Sequence, residues 1–199
     1  MRNFLNNLNK VASDTNNHLK KFFIKKNKYS YLVHPMKYSV FSGGKRFRSN
    51  IIVNTGKIFN IDYKKLILIG AAVECVHSYS LIHDDLPAMD DDDLRRGKLS
   101  THKRFNEFTA ILAGNSLLAL AFEILSSTKL KLPWKIKNEL TKTLAIYSGY
   151  SGLAGGQYFD LTCENKDIPK KKLLIYKKIK QVNYLLFAVS AQELLKGKV

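Results

Sequence analysis

Residues 63–86 read YKKLILIGAAVECVHSYSLIHDDL, and this stretch decides the fold. Most positions from Leu66 to Ile82 are apolar or small, and Pro87 ends the segment because proline cannot continue a helix. A helix that is hydrophobic on nearly all sides belongs in the middle of a protein. We therefore predict a buried central helix from Tyr63 to Leu86, around which the rest of the chain packs.

Helical spacing of apolar residues also dominates the sequence on both sides of this stretch. The further segments predicted as helices are residues 3–26, 49–59, 106–127 and 133–151, a short turn at 157–161, and residues 169–195. The sequence contains no hairpin signal and no alternation of strands with helices. These patterns predict an all-α fold, and a length of 199 residues fits a single domain that covers residues 1–199.

The chain is strongly basic, with 33 Lys and Arg residues against 16 Asp and Glu and a formal net charge of +17. Such a charge attracts nucleic acid, an acidic membrane surface or a phosphorylated substrate, although a solvated lysine-rich surface accounts for most of it. The sequence has no nucleic-acid recognition motif, and its aromatic residues lie in apolar runs. We therefore expect no nucleic-acid partner.

The cysteines and the N-terminus bear on the cellular compartment. Cys75 and Cys163 are too few and too far apart for a disulfide framework or a metal-binding pair. Residues 1–10 lack the apolar core of a signal peptide, and the longest apolar stretch, residues 66–76, has about half the length that a membrane-spanning helix needs. We expect a cytoplasmic protein without stable membrane insertion.

Polar side chains share one side of the central helix. His77 and Asp84 are seven residues apart, which places them within roughly 20° of each other on a helix, and Ser80 shares that face. An ionised carboxylate beside an apolar core is costly unless a cation satisfies it. Mg²⁺ prefers carboxylate oxygens and is often completed by phosphate groups. Asp84 and Asp90, which follows a turn containing proline, could reach the same ion or ion pair.

The acidic run at residues 90–93 has other interpretations. It could be a solvated loop or a fortuitous calcium loop, although the ligand spacing, central glycine and closing glutamate of an EF-hand are absent. Arg95 and Arg96 follow the acids at once. Opposite charges packed so closely favour a metal and a phosphate group that share one site.

Residues 74–97, ECVHSYSLIHDDLPAMDDDDLRRG, closely resemble the first aspartate-rich region of the trans-isoprenyl diphosphate synthase (polyprenyl synthetase) family, and are most similar to its bacterial farnesyl diphosphate synthases. The resemblance extends, in the family's order, to residues 43–48 (GGKRFR), 111–115 (ILAGN) and 155–161 (GGQYFDL). It implies an all-α isoprenoid synthase-type helical bundle around a deep central cavity.

The resemblance also implies an activity and a cofactor. The family joins isopentenyl diphosphate to an allylic diphosphate, here dimethylallyl or geranyl diphosphate, to give farnesyl diphosphate. The allylic diphosphate ionises with the help of Mg²⁺, the isopentenyl double bond attacks the cation, and a proton is lost. Asp84 and Asp90 would bind Mg²⁺, with two or more ions per active site, Asp85 would support them, and Lys180 would complete the catalytic set.

The substrate-binding residues are likewise implied by the resemblance. Isopentenyl diphosphate would be held by Lys45, Arg48, His77 and Arg96, and the allylic diphosphate by Arg95 and Lys180, with Gln157 and Gln181 completing the set. Tyr79, five residues before Asp84, would form the floor that stops chain growth at fifteen carbons. An ordinary core aromatic is the alternative for Tyr79.

Three departures from the family pattern keep further hypotheses open. The family's Lys-Thr pair is Lys180-Gln181, its Arg-Pro is Arg48-Ser49, and nothing after Lys180 resembles its second motif, Asp-Asp-x-x-Asp, or the C-terminal helices that close the bundle. We therefore weigh an active prenyltransferase, as a homodimer or with a completing partner chain, against a catalytically impaired or regulatory diphosphate-binding relative. A basic nucleic-acid or membrane-surface binder is the third hypothesis, supported by charge alone.

Overall fold

The computed structural model describes residues 2–24 and 30–163, together with Phe187, Ala191 and Leu194. Within the described ranges the order is α1 (Arg2–Ile24), α2 (Ser30–Phe41), α3 (Phe47–Ile58), α4 (Tyr63–Asp84), β1 (Leu94–Arg95), β2 (Lys98–Leu99), α5 (Thr101–Arg104), α6 (Glu107–Ser126), a 3₁₀ turn (Thr128–Leu130), α7 (Trp134–Ser148) and α8 (Leu153–Cys163). The predicted all-α class is confirmed.

Helix α4 is the central helix that the sequence predicts. Asp62 caps its start by accepting a hydrogen bond from the Lys65 backbone N–H at 3.1 Å, and α4 packs against α6, α3 and α1. A Cβ on Gly70 would overlap the Ser49 side chain, so this glycine lets α3 approach α4 closely. Helices α3 and α4, which carry Arg48 and Asp84, are therefore closely packed.

Helix α2 is absent from the sequence-based prediction. It contains Pro35, which cannot donate a hydrogen bond to the preceding turn, and it is rich in β-branched and aromatic residues. Its buried residues, among them Val33, Met36 and Val40, belong to the hydrophobic core, and the helix packs against α6. Tertiary packing therefore stabilises a helix that local propensity disfavours.

A two-stranded hairpin, for which the sequence gives no signal, follows the acidic segment. Strands β1 and β2 pair antiparallel, with Leu94 opposite Leu99. The turn residues Arg96 and Gly97 both have left-handed backbones, with φ of 56° and 75°. A left-handed arginine is not the usual Asn or Asp of such turns, which is why the turn gives no signal. Its side chain is held by a distant loop described below.

The boundary predicted near residue 157 is also wrong, because α8 begins at Leu153 and runs through Gly155 and Gly156. A Cβ on Gly155 would overlap the backbone carbonyl of Tyr150. The missing side chain of Gly155 therefore allows the tight connection between α7 and α8. Gly155 itself lies inside α8 and does not break that helix.

In the part of the chain that the structure describes, two helices, α4 and α6, are long and apolar enough by length and composition to cross a membrane. Of the most apolar window, 78% is buried within the protein in α4 and 44% in α6. Helix α4 is thus a core helix, whereas α6 leaves an apolar face with Phe108, Ile111 and Leu112 exposed.

The last predicted helix, residues 169–195, lies outside the described residues except at three positions. Phe187, Ala191 and Leu194 are helical and buried, at the spacing of one helix face. Lys180 and Gln181 lie outside the described residues.

Candidate active site

A turn after α4 folds the acidic segment back onto the end of that helix. The Met89 backbone N–H donates to the Leu86 carbonyl at 2.8 Å, and the Asp90 N–H donates to the Asp84 carbonyl at 2.9 Å. The two aspartates that the sequence assigns to Mg²⁺ are therefore neighbours across this turn, although six residues separate them. Asp84 is half-buried and Asp90 is exposed.

A cavity of about 230 Å³ lies beside this turn, between α4 and α8. Its lining is largely apolar or aromatic and consists of Tyr79, Ser80, His83, Asp84, Met89, Leu153, Ala154, Gln157, Tyr158 and Leu161. Tyr79 shares the cavity with Asp84, and burial, followed by the Asp84 charge, raises the pKa of its hydroxyl. The cavity thus combines one carboxylate with a wall suited to a hydrocarbon chain.

Gln157 connects α8 to the acidic turn. Its Nε2 donates to Asp90 Oδ1 at 3.3 Å, and the residue is only 6% exposed. Within the described part of the chain, the buried Oε1 of Gln157 accepts no hydrogen bond. A buried oxygen without a donor is costly, and a metal-bound water would supply that donor. The carboxylate oxygens of Asp84 and Asp90, close to Gln157, are therefore suitable ligands for Mg²⁺, which keeps several of its bound waters.

Asp85 has a different environment from Asp84 and Asp90. It is 2% exposed, and it accepts hydrogen bonds from both Nε (2.8 Å) and Nη2 of Arg95. Burial raises the pKa of Asp85, partly offset by Arg95, and the hydrogen bonds to Asp85 raise the pKa of Arg95. Arg95 Nη2 also donates to Asp92 at 2.9 Å. Asp85 therefore orients Arg95.

The glycine loop at residues 43–44 meets the β1–β2 turn. Arg96 Nη1 donates to the Gly43 carbonyl, and the Arg96 guanidinium lies so close to Gly44 that a Cβ there would overlap it. Both glycines have left-handed backbones, with φ of 124° and 103°. The loop that carries Lys45 and the hairpin that carries Arg96, 51 residues later in the sequence, therefore form one surface.

His77 lies within the electrostatic field of that surface. Burial lowers the pKa of His77 well below its usual value, and Arg48 and Arg96 are the next causes. Lys45 is exposed on the loop, whereas Arg48, in the first turn of α3, is half-buried. Arg48 and Arg96 thus lie close enough to His77 for their charges to lower its pKa, and Lys45 lies on the loop that contacts Arg96. This concentration of positive charge would suit a diphosphate.

Sequence reasoning gave no role to His83. Its Nε2 lies 3.1 Å from the Ile111 carbonyl, and its ring packs edge to face on Tyr79, with centroids 4.7 Å apart. A Cβ on Gly114 would overlap the His83 ring. The glycine of the ILAGN motif therefore makes room for a side chain that lines the cavity, a relation that only the paired helices α4 and α6 could reveal.

One possible metal-binding group lies away from the predicted pair. Asp91, Asp93 and His102 have candidate ligand atoms within 4.8 Å of one another. Asp93 is paired with Lys103 at 2.8 Å, and both acids are exposed. Because a lysine already neutralises Asp93 and this group lines no part of the cavity, we keep the assignment of Mg²⁺ to Asp84 and Asp90 as the prediction.

Known proteins of one family are similar to this chain. The family model described as "Polyprenyl synthetase" matches residues 29–193. The farnesyl diphosphate synthase of Buchnera aphidicola from Acyrthosiphon pisum is 46% identical over 147 residues, which cover 73% of this chain and 52% of that protein. The Escherichia coli farnesyl diphosphate synthase is 47% identical over 139 residues, 69% of this chain and 46% of that protein.

Solved structures extend the similarity to the fold. An FPP/GFPP synthase from Zymomonas mobilis has a TM-score of 0.88 and 38% identity, and the match covers 97% of this chain and 70% of that chain. A geranyltransferase from Legionella pneumophila has a TM-score of 0.88 and 35% identity, with 94% and 66% covered. The chain spans about half the length of the curated relatives that it matches. With its motifs, its fold and this match, the chain belongs to the polyprenyl synthetase family.

Proposed function

We propose that this chain takes part in condensing isopentenyl diphosphate with an allylic diphosphate, dimethylallyl or geranyl diphosphate, to give farnesyl diphosphate. The observation that carries the proposal is the junction of three parts: the acidic turn, the cationic surface and the apolar cavity. Asp84 belongs to both the turn and the cavity, and Arg96 follows the same acidic segment. A charged head group and a hydrocarbon tail therefore have adjoining places.

The division of labour is the one that the family resemblance implies, and the positive charges of the residues are compatible with it. Lys45, Arg48, His77 and Arg96 would hold the diphosphate of isopentenyl diphosphate, while Arg95, oriented by Asp85, would face the allylic diphosphate. Mg²⁺ held by Asp84 and Asp90 would stabilise the negative charge that develops on the departing diphosphate. The apolar lining of the cavity would exclude water from the allylic cation, so that the alkene attacks it before hydrolysis does.

Tyr79 is proposed as the residue that limits product length. It is half-buried, it lines the cavity below Asp84, and its ring is fixed against His83. A rigid ring in that place would block further growth of the chain. Lys180 and Gln181 keep their roles in the proposal from the resemblance alone.

We further propose that the protein works as a cytoplasmic homodimer through the exposed apolar face of α6. Phe108 is 66% exposed and Leu112 is 49% exposed, and with Ile111 they form a patch on one side of the helix. Leu112→Asp should shift the mass measured by light scattering from dimer to monomer, whereas Ile146→Asp, at an apolar residue of α7 that is also 49% exposed, controls for the added charge outside the patch. A wild-type monomer would contradict the dimer.

Product formation tests the proposed reaction. The purified chain is incubated with Mg²⁺, geranyl diphosphate and labelled isopentenyl diphosphate, and the hydrolysed product is extracted into solvent. We expect labelled farnesyl diphosphate well above an Asp84→Ala variant, with Asp91→Asn as the matched control beside the site. Binding of isopentenyl diphosphate without turnover would instead support the regulatory, diphosphate-binding alternative, and neither binding nor turnover would refute both.

A further inference from the structure

Arg46 lies in the middle of the loop between Gly43 and Arg48, yet its environment is opposite to that of its neighbour Lys45. Lys45 is exposed, whereas Arg46 is 4% exposed and burial lowers the pKa of its guanidinium. A buried guanidinium is costly unless its donors are satisfied. The contacts of the Arg46 guanidinium therefore show which parts of the fold it holds together.

The Arg46 guanidinium reaches three parts of the fold. Nε donates to Asn16 Oδ1 on α1 at 2.8 Å, Nη2 donates to the Val40 carbonyl at the end of α2, and Nη1 donates to the Gly43 carbonyl at 3.4 Å. A single planar fork thus fixes the end of α2 and the start of the glycine loop relative to α1.

Glu74 on the central helix completes this arrangement. Its Oε2 lies 3.9 Å from Arg46 Nη1, and its Oε1 accepts a hydrogen bond from the Ser49 backbone N–H at 3.1 Å. The Arg46 backbone carbonyl accepts from the Asn50 N–H at 2.9 Å and so begins the hydrogen-bond ladder of α3. Both members of this ion pair therefore hold the first turn of α3, which carries Arg48. Arg46 does so through its backbone carbonyl, and Glu74 through the Ser49 N–H.

The Gly43 carbonyl is the point where this buried network meets the proposed diphosphate site. It accepts hydrogen bonds from Arg46 on the inside and from Arg96 on the outside. Gly43, Gly44 and Arg46 all have left-handed backbones, so the loop's own preferences do not hold this conformation. The hydrogen bonds from the buried Arg46 guanidinium hold the loop in this conformation instead.

We infer that Arg46 is the positioning residue of the diphosphate-binding loop: it fixes the carbonyl on which Arg96 docks and the helical turn that presents Arg48. This inference rests on the proposed function, since it assigns Arg46 a part in building the isopentenyl diphosphate site. With 4% of its surface exposed, Arg46 is not placed to contact the diphosphate itself. It acts through Gly43 and through the start of α3.

Arg46→Lys tests the inference because lysine keeps the charge opposite Glu74 but cannot bond to Asn16, Val40 and Gly43 together. Isopentenyl diphosphate is titrated into each variant by calorimetry, well below the lowest melting temperature in the set. We expect binding weaker by at least about tenfold. Arg96→Lys should also cost less in the Arg46→Lys background than in the wild type, because both act through one carbonyl.

Asn16→Ala is the milder second variant, since it removes one partner of the buried guanidinium, and it should bind with an affinity between those of the wild type and Arg46→Lys. Arg104→Lys, at an exposed arginine, is the matched control and should bind like the wild type. A purely structural Arg46 would lower the melting temperature and leave the dissociation constant of both variants unchanged, which overturns the inference. Absence of binding by the wild-type chain would refute the proposed function together with this inference, whereas equal binding by wild type and variants refutes the inference alone.

Discussion

Replacing Asp85 by asparagine should destabilise the chain more than its conservative shape suggests. The Asp85 side chain is 3% exposed and accepts two hydrogen bonds from the Arg95 guanidinium, whose side chain is 31% exposed. Hydrogen bonds to charged groups contribute about 1.5–3 kcal/mol each. Asparagine keeps one acceptor, Arg95 keeps Asp92, and the desolvation cost of the buried carboxylate disappears. These three effects reduce the expected net loss to about 2 kcal/mol.

Urea unfolding followed by circular dichroism measures this loss, and the melting temperature should fall by about 4–8 °C for a chain of this length. Asp92→Asn is the matched control, because Asp92 pairs with the same arginine at 2.9 Å but its side chain is 49% exposed. A surface pair of that kind is worth about 0–1 kcal/mol. Equal losses in the two variants, or no loss in Asp85→Asn, would refute the argument that burial makes the Asp85 pair the structural one.

Three further predictions concern the central helix and its cavity. The pKa of His77 is lowered in the folded chain, so the unfolded chain binds the proton first, and stability should fall as pH drops below about 6.5, by up to about 1.4 kcal/mol per pH unit. Urea unfolding of His77→Gln between about pH 7 and pH 5.5 should show a shallower fall, and identical pH dependence would contradict it. Gly114→Ala should lower the free energy of unfolding, measured in urea, by about 1–3 kcal/mol because the added Cβ meets His83. Asn115→Ala, at an exposed position, should change it by no more than about 0.5 kcal/mol, and equal effects of the two variants would contradict the packing argument. Tyr79→Ala should yield prenyl products longer than fifteen carbons by chromatography, and an unchanged product length would exclude the floor role.

The central helix and the acidic turn could be predicted because their signals are local. Residues 63–84 form a helix from a continuous apolar run with an Asp62 cap and a Pro87 stop, and the structure has these limits to within two residues of the prediction. The grouping of Asp84 with Asp90 depends on a turn only six residues long. Both features depend on residues that are close together in the sequence, so the sequence alone is enough to predict them.

The features that could not be predicted depend on partners distant in the sequence. Helix α2 forms despite Pro35 because it packs on α6, and the left-handed Arg96 of the hairpin is held by Gly43, 53 residues earlier. The burial of Arg46 beside exposed Lys45 likewise depends on Asn16. The motif GGKRFR alone does not show which of its basic residues faces solvent.

The most direct test of the account is a calorimetric titration of inorganic pyrophosphate, with and without Mg²⁺, into the wild-type chain, Asp84→Asn and Lys45→Met. If the acidic turn and the cationic loop form one site, binding of pyrophosphate should require Mg²⁺. Each variant should then weaken that binding by at least about tenfold, the loss of one charged contact. Binding of equal strength without Mg²⁺, or binding that neither variant changes, would contradict the claim that these two segments form a single Mg²⁺-diphosphate site.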